Sequence, residues 1–173
     1  LMPDGDYVID SGVEFDFSNV VREGEGRLMA NDDSETFITV TGNNNIIKGI
    51  VFKEGPGKPN RLVDVTGDNN TLENCQFYYN EKLTTEEILW GNTNVRLLGN
   101  HNTVIHCESY NGGMGVSISN RNNKVLYSFI HDNIIGIRLS ASSRGAEIAY
   151  NLIDNNNVNS ASGADGILAS RNV

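Results

Sequence analysis

A right-handed parallel β-helix is the fold this sequence predicts, and three observations predict it. Short apolar segments recur in pairs, each pair split by an asparagine-rich turn. Five steps of this repeat run from Gly42 to Ser170 and average about 26 residues. Asparagine accounts for 25 of the 173 residues and glycine for 18, against three prolines. That composition supplies many similar tight turns rather than a linker. A coil of this length cannot bury an apolar face alone. Stacked coils can, and they extend parallel sheets along the stack.

Residues 1–36 fit the repeat poorly and are assigned to an irregular first coil or cap, with strands at Asp6–Asp10 and Val13–Phe17. Residues 37–173 form the β-helix coils. Ile38–Gly42 passes through Asn43–Asn45 into Ile46–Phe52. Val63–Gly67 passes through Asp68–Asn70 into Thr71–Phe77, and Val95–Gly99 through Asn100–Asn102 into Thr103–Ser109. Val116–Asn120 passes through Arg121–Asn123 into Lys124–Ile130. Ile137–Ser140 reaches Ile148–Ile153 by a longer turn, and a sixth copy begins at Ile167. Each half-repeat alternates apolar and polar, the period of a strand with one buried face. Asn tolerates the left-handed backbone such turns need, and its side chain can bond the next coil's turn. Three connections are long: basic Lys53–Arg61, acidic Tyr78–Asn94 with the only tryptophan, and polar Asn155–Ala164. In a solenoid, insertions collect on one face and often wall a groove. The chain opens as if leaving one element and closes as if entering another repeat, so it reads as a piece of a longer helix.

Charge and composition narrow the function. A net charge of -9 and a pI near 4.7 are the opposite of the basic balance a general nucleic-acid binder shows, so nucleic acid is not the expected partner. No apolar run approaches the ~18 residues of a membrane span, so membrane insertion is not expected. Two cysteines make no disulfide scaffold.

Stacking turns the repeat into columns, with coils about 4.8 Å apart. Ile38, Val63, Val95, Val116 and Ile137 should point inward. One residue later, Thr39, Asp64, Arg96, Ser117, Arg138 and Leu168 should form an outward strip. Arg binds a carboxylate bidentately, so this strip favours an acidic polysaccharide as partner. The other reading of the strip is solvated surface with an incidental Asp–Arg pair. In the second strand, Ile50, Cys75, Cys107, Ser128 and Asn151 should face inward. Adjacent Cys75 and Cys107 are either bonded or simply packed. A further column of Gly49, Asn74, His106, Tyr127 and Tyr150 stacks two tyrosines, as structural ladders do. Trp90 either stacks on a sugar or pins its loop.

Two chemistries suit such a surface. A lyase needs a base, a group that neutralises a carboxylate, and often Ca²⁺ on clustered acids. A hydrolase needs two carboxylates. Asp64, Arg96 and Arg138 are the candidate catalytic residues; Trp90, Glu108 and Lys53 are the candidate substrate contacts. Glu73, Asp132 and Lys124 are further acids and bases within reach of the same surfaces. No metal-ligand spacing stands out and no resident cofactor is implied, Ca²⁺ being the one ion a lyase would add.

With these residues laid out, the chain resembles the pectin-lyase-like superfamily. Ile38–Ile118 is similar to β-helix lyases of alginate and chondroitin-type glycans. The resemblance is carried by Ile46–Gly55, Leu89–Gly91 and Leu97–Cys107, under half the chain. It implies a polysaccharide lyase. Those lyases carry two calcium-binding glutamates and then a catalytic lysine. The matching stretch, Ala164–Arg171, lacks the glutamates and offers only Arg171 near the lysine. The whole also resembles the shaft of bacteriophage tailspikes, through the entry Leu1–Ile9 and the Asn-turned coils. That resemblance implies a homotrimer, at a virion surface or otherwise extracellular, that binds and often depolymerises surface polysaccharide. The alternative is a non-catalytic shaft, adhesin or carbohydrate-binding module.

Overall fold

A computed structural model describes residues 2–81, 92–156 and 166–170. Three strands open the chain: β1 (Met2–Ile9), β2 (Val13–Phe15) and β3 (Val21–Ala30). Triplets then repeat. They are β4 (Ile38–Val40), β5 (Ile46–Lys48) and β6 (Val51–Glu54), then β7 (Arg61–Val65), β8 (Thr71–Glu73) and β9 (Gln76–Tyr78). The next are β10 (Thr93–Leu97), β11 (Thr103–Ile105) and β12 (Glu108–Tyr110), then β13 (Met114–Ile118), β14 (Lys124–Leu126) and β15 (Phe129–His131). Last come β16 (Ile135–Leu139), β17 (Glu147–Ala149), β18 (Leu152–Asp154) and β19 (Ile167–Ala169). Every pairing is parallel, and each strand pairs with its counterpart one coil away. The molecule is therefore a parallel β-solenoid of about six turns.

The coil has three faces. The first is a seven-stranded sheet running from β2 to β19. The second holds β5, β8, β11, β14 and β17, and the third holds β6, β9, β12, β15 and β18. Strand β3 joins these two, because its first half pairs β5 and its second half pairs β6. The sequence reading placed no strand at 21–30. Its residues, VREGEGRLMA, look polar, yet Gly24, Gly26, Leu28 and Ala30 alternate inward. Glycine is required there by packing: a Cβ on Gly24 would lie 2.5 Å from Met2 Cβ.

Ile38, Val63, Val95, Val116 and Ile137 stack in register and are fully buried. Phe52 and Phe77 stack inside the third face with ring centroids 5.3 Å apart. The turn asparagines complete the interior. Asn45, Asn70, Asn102 and Asn123 are at most 1 % exposed. Each accepts, through Oδ1, a backbone N–H from the preceding coil: Val20 to Asn45 (3.1 Å), Asn45 to Asn70 (3.0 Å), Asn70 to Asn102 (2.7 Å) and Asn102 to Asn123 (2.8 Å). Each donates, through Nδ2, to a carbonyl on the preceding coil: Phe17, Gly42, Gly67 and Gly99 in the same order. The ladder satisfies corner backbone groups that no strand pairs, and groups left unpaired in the interior would be costly. The neighbouring positions Asn44, Asn69, His101 and Asn122 all take φ 57°, the left-handed turn that asparagine tolerates.

Candidate functional site

The first-face strip forms in the expected register, Thr39–Asp64–Arg96–Ser117–Arg138–Leu168. It is not an open strip, however. Asp64 is 4 % and Ser117 2 % exposed. Arg96 grips Asp64 bidentately, Nε to Oδ1 at 2.9 Å and Nη2 to Oδ2 at 2.5 Å, and Thr36 Oγ1 donates to Oδ2 at 3.2 Å. Arg61 pairs with Glu35 on the flank of this network and donates to Thr36. Asn60 and then Arg61 hold the Glu35 carboxyl below its ordinary range. Both Asp64 oxygens and the Arg96 fork are thus committed to each other. The alternation gives the direction of these side chains correctly; it does not reveal what packs over them. Arg138 is half-buried two coils beyond Arg96 and is itself engaged. Trp90 lies outside the described residues.

Glu108 and Lys53 stand elsewhere, on the third face, where the structure gathers more chemistry. Two outward columns run along it, two residues apart on each strand. One is Val51, Gln76, Glu108, Phe129 and Leu152; the other is Lys53, Tyr78, Tyr110, His131 and Asp154. Tyr78 and Tyr110 stack at 4.6 Å, Tyr110 and His131 at 5.0 Å, and Phe129 and His131 at 3.9 Å. Lys53 Nζ lies over the Tyr78 ring at 5.2 Å, closing the ladder at that end. The sequence carried this signal as Gln-x-Tyr, Glu-x-Tyr and Phe-x-His at one register. Aligning the later half of each coil only as far as its inward Cys75–Cys107 column hides it.

A third column borders these at the corner between the second and third faces. Gly49, Asn74, His106, Tyr127 and Tyr150 all have positive φ, 75°, 51°, 54°, 47° and 59°. Glycine and asparagine suit this backbone; a bulky residue there is a genuine outlier costing on the order of 1 kcal/mol. Tyr127 is 50 % and Tyr150 75 % exposed. Their rings stack at 4.8 Å and His106 stacks on Tyr127 at 5.3 Å. Stacked rings cover much of each other's faces, so a molecule laid along the axis meets ring edges and hydroxyls. Between this ladder and the Gln76–Glu108–Phe129 column lies a depression of about 370 Å³, floored by Cys75 and Cys107.

Glu108, His131 and Asp132 form the site's ionisable cluster. His131 Nδ1 sits 2.7 Å from Asp132 Oδ2, and Nε2 sits 3.2 Å from Glu108 Oε1. A carboxylate only accepts, so both hydrogen bonds form at once only when each ring nitrogen carries a proton. Asn155 Nδ2 donates to the other Asp132 oxygen at 2.5 Å. Burial, and then the charges of Tyr78 and Glu108, push the Tyr110 phenol up to about 12. It is therefore a hydroxyl, not a phenolate, at neutral pH. A folded-state value raised above the ordinary 10 means the unfolded chain releases this proton first. The associated stability is complete below about pH 10 and is lost as pH climbs towards 12. Alkaline spectrophotometric titration should show a phenol near pH 12 that disappears in Tyr110→Phe, while the buried Tyr79 phenol, pushed well up by burial, is unaffected by that change.

Cys75 and Cys107 are both free thiols in the wall beneath the depression. The Cys75 N–H donates to Cys107 Sγ at 3.4 Å, and burial pushes the Cys107 thiol well up. Of the two readings of this pair, the structure holds the packed one. Among the described residues, no group of three or more His, Cys, Asp or Glu side chains is placed to hold a metal ion. No protein-family model and no curated protein matches the chain. The fold and the site therefore rest on geometry.

Proposed function

We propose that this chain recognises an extended polysaccharide laid along the helix axis, over the third face and its aromatic corner. One observation carries the reading. The corner that Gly49 and Asn74 turn cheaply is turned by His106, Tyr127 and Tyr150 further along, with unfavourable φ and exposed rings. Strain that the fold does not need points to function. Rows of phenol hydroxyls and ring edges at coil spacing suit a polymer of hydroxylated rings. With this reading goes a place beside the pectin-lyase-like superfamily, on the resemblance of the repeats, and a setting outside the cell or on a virion. The reading extends to depolymerisation through Glu108, the carboxylate in the trough between the corner ladder and the third-face columns; the sequence-derived candidates Asp64, Arg96 and Arg138 stand on the first face, away from that polymer path.

A second reading, a non-catalytic shaft assembling as a homotrimer, is favoured by the exposure of Leu152 (61 %) and Tyr150 on one flank. Affinity electrophoresis in gels cast with a polysaccharide panel separates the two. Retardation by at least one polymer, weakened in Tyr127→Asn, is the expected result. New reducing ends, with or without the absorbance of unsaturated ends, would add hydrolase or lyase action. No retardation by any polymer, with sedimentation as a trimer, would overturn recognition and leave the shaft.

A further inference from the structure

The sign of charge along the trough says which glycans it takes. We infer that the trough accepts an uncharged glycan and turns away a uronate-rich one, with Glu108 setting the preference. The inference rests on the polysaccharide reading above and runs against the acidic ligand suggested by Arg96 and Arg138.

From Asn74 and Gln76 to Tyr150 and Asp154, the three columns hold no lysine or arginine at all. Their anions are Glu108 and Asp154, with Asp132 one residue from the ladder. Glu108 lines the depression beside Gln76, His106, Tyr127 and Phe129. Among the described residues, the basic side chain within hydrogen-bond reach of it is His131, whose two ring nitrogens face Glu108 and Asp132. Two carboxylates thus share one imidazole, and neither nitrogen is left to receive a sugar carboxylate. Two of the three lysines at the edges are paired with carboxylates, and the third, Lys53, stands at the far end of the tyrosine ladder. Lys48 pairs with Glu73 at 3.4 Å, Lys124 pairs with Glu147 at 2.7 Å, and Lys53 lies over Tyr78. On the first face, Arg96 is held by Asp64. A polyanion entering the trough meets excess negative charge within a Debye length, about 10 Å at 0.1 M salt. The overall charge of -9 has the same sign. A neutral chain has no such penalty and meets the phenols, the Gln76 amide and the ring edges.

The test compares each polymer with and without its negative charge: alginate and hyaluronan, each as the ionised carboxylate at neutral pH and as the methyl ester. Titration calorimetry at low salt should give ester affinities at least tenfold above those of the matching acids. The ratio should shrink as salt cuts the Debye length from about 30 Å at 0.01 M to about 3 Å at 1 M. Glu108→Gln should narrow the low-salt ratio several-fold. An acid bound as tightly as its ester, or more tightly, overturns the inference while the polysaccharide reading stands. A ratio that Glu108→Gln does not move overturns the role of that residue. Binding of none of the four overturns the inference for these glycans, and the reading beneath it falls only when the polysaccharide panel of the gel test gives no retardation either.

Discussion

Asn102→Ala should lower the stability of this chain by about 2–6 kcal/mol. Asn102 Oδ1 accepts the Asn70 N–H at 2.7 Å, and its Nδ2 donates to the Gly67 carbonyl at 2.9 Å. Both partners belong to a buried corner where Asn70 and Asn102 are each 1 % exposed. Alanine leaves one donor and one acceptor unpaired there, at about 1–3 kcal/mol each. A domain of ordinary stability has only about 5–15 kcal/mol in total. The neighbouring Asn122 is the control, because it is exposed and its side chain reaches only His101, at 3.4 Å. Asn122→Ala should cost about 1 kcal/mol, the strain of alanine at φ 57°. Denaturant titrations of the three proteins measure both differences. Equal midpoints for Asn102→Ala and Asn122→Ala would show that the ladder does not hold the coils together.

That ladder is also the part of the fold most legible in the sequence. Asn45, Asn70, Asn102 and Asn123 close the same turn in four coils, and their spacing fixes the register of the strands on either side. The inward columns follow from alternation alone. Two features were not legible. Strand β3 buries two glycines and an alanine, so it has almost no apolar signal to read. Its partner β1 supplies the packing that makes sense of Gly24. The outward strip was legible in direction but not in environment. Thr36, outside the repeat as aligned and itself bonded by Arg61, closes over Asp64 and turns an expected contact surface into a half-buried ion pair. The third-face site was half legible. Glu108, Lys53 and the His106–Tyr127–Tyr150 column could be named. Their convergence beside His131 and Tyr110 depends on how the coil bends between strands, which spacing does not show.

The second large effect concerns the corner tyrosines. The double variant Tyr127→Asn, Tyr150→Asn places at both positions the residue that Asn74 already supplies in the same column, two coils before Tyr127. It removes ring stacking worth about 0.5–1.5 kcal/mol. It also relieves left-handed strain of similar size at two bulky residues. Stability should therefore move by no more than about 1 kcal/mol in either direction. Retention by any polysaccharide that binds the parent chain should fall at least tenfold, because both exposed rings and their hydroxyls are gone. A large drop in melting temperature with binding preserved would assign the tyrosines to folding. Asn102→Ala and this pair thus separate the interior that makes the helix from the surface proposed to use it.

The most direct measurement is a map of the bound polymer on the folded chain. Tyrosine-ring and arginine side-chain NMR signals would be followed while a polysaccharide that retards the chain is added. Recognition on the third face predicts shifts at Tyr78, Tyr110, Tyr127 and Tyr150, with Arg96 and Arg138 unmoved. Shifts confined to Arg96 and Arg138 would place the polymer on the first face and contradict the site described above.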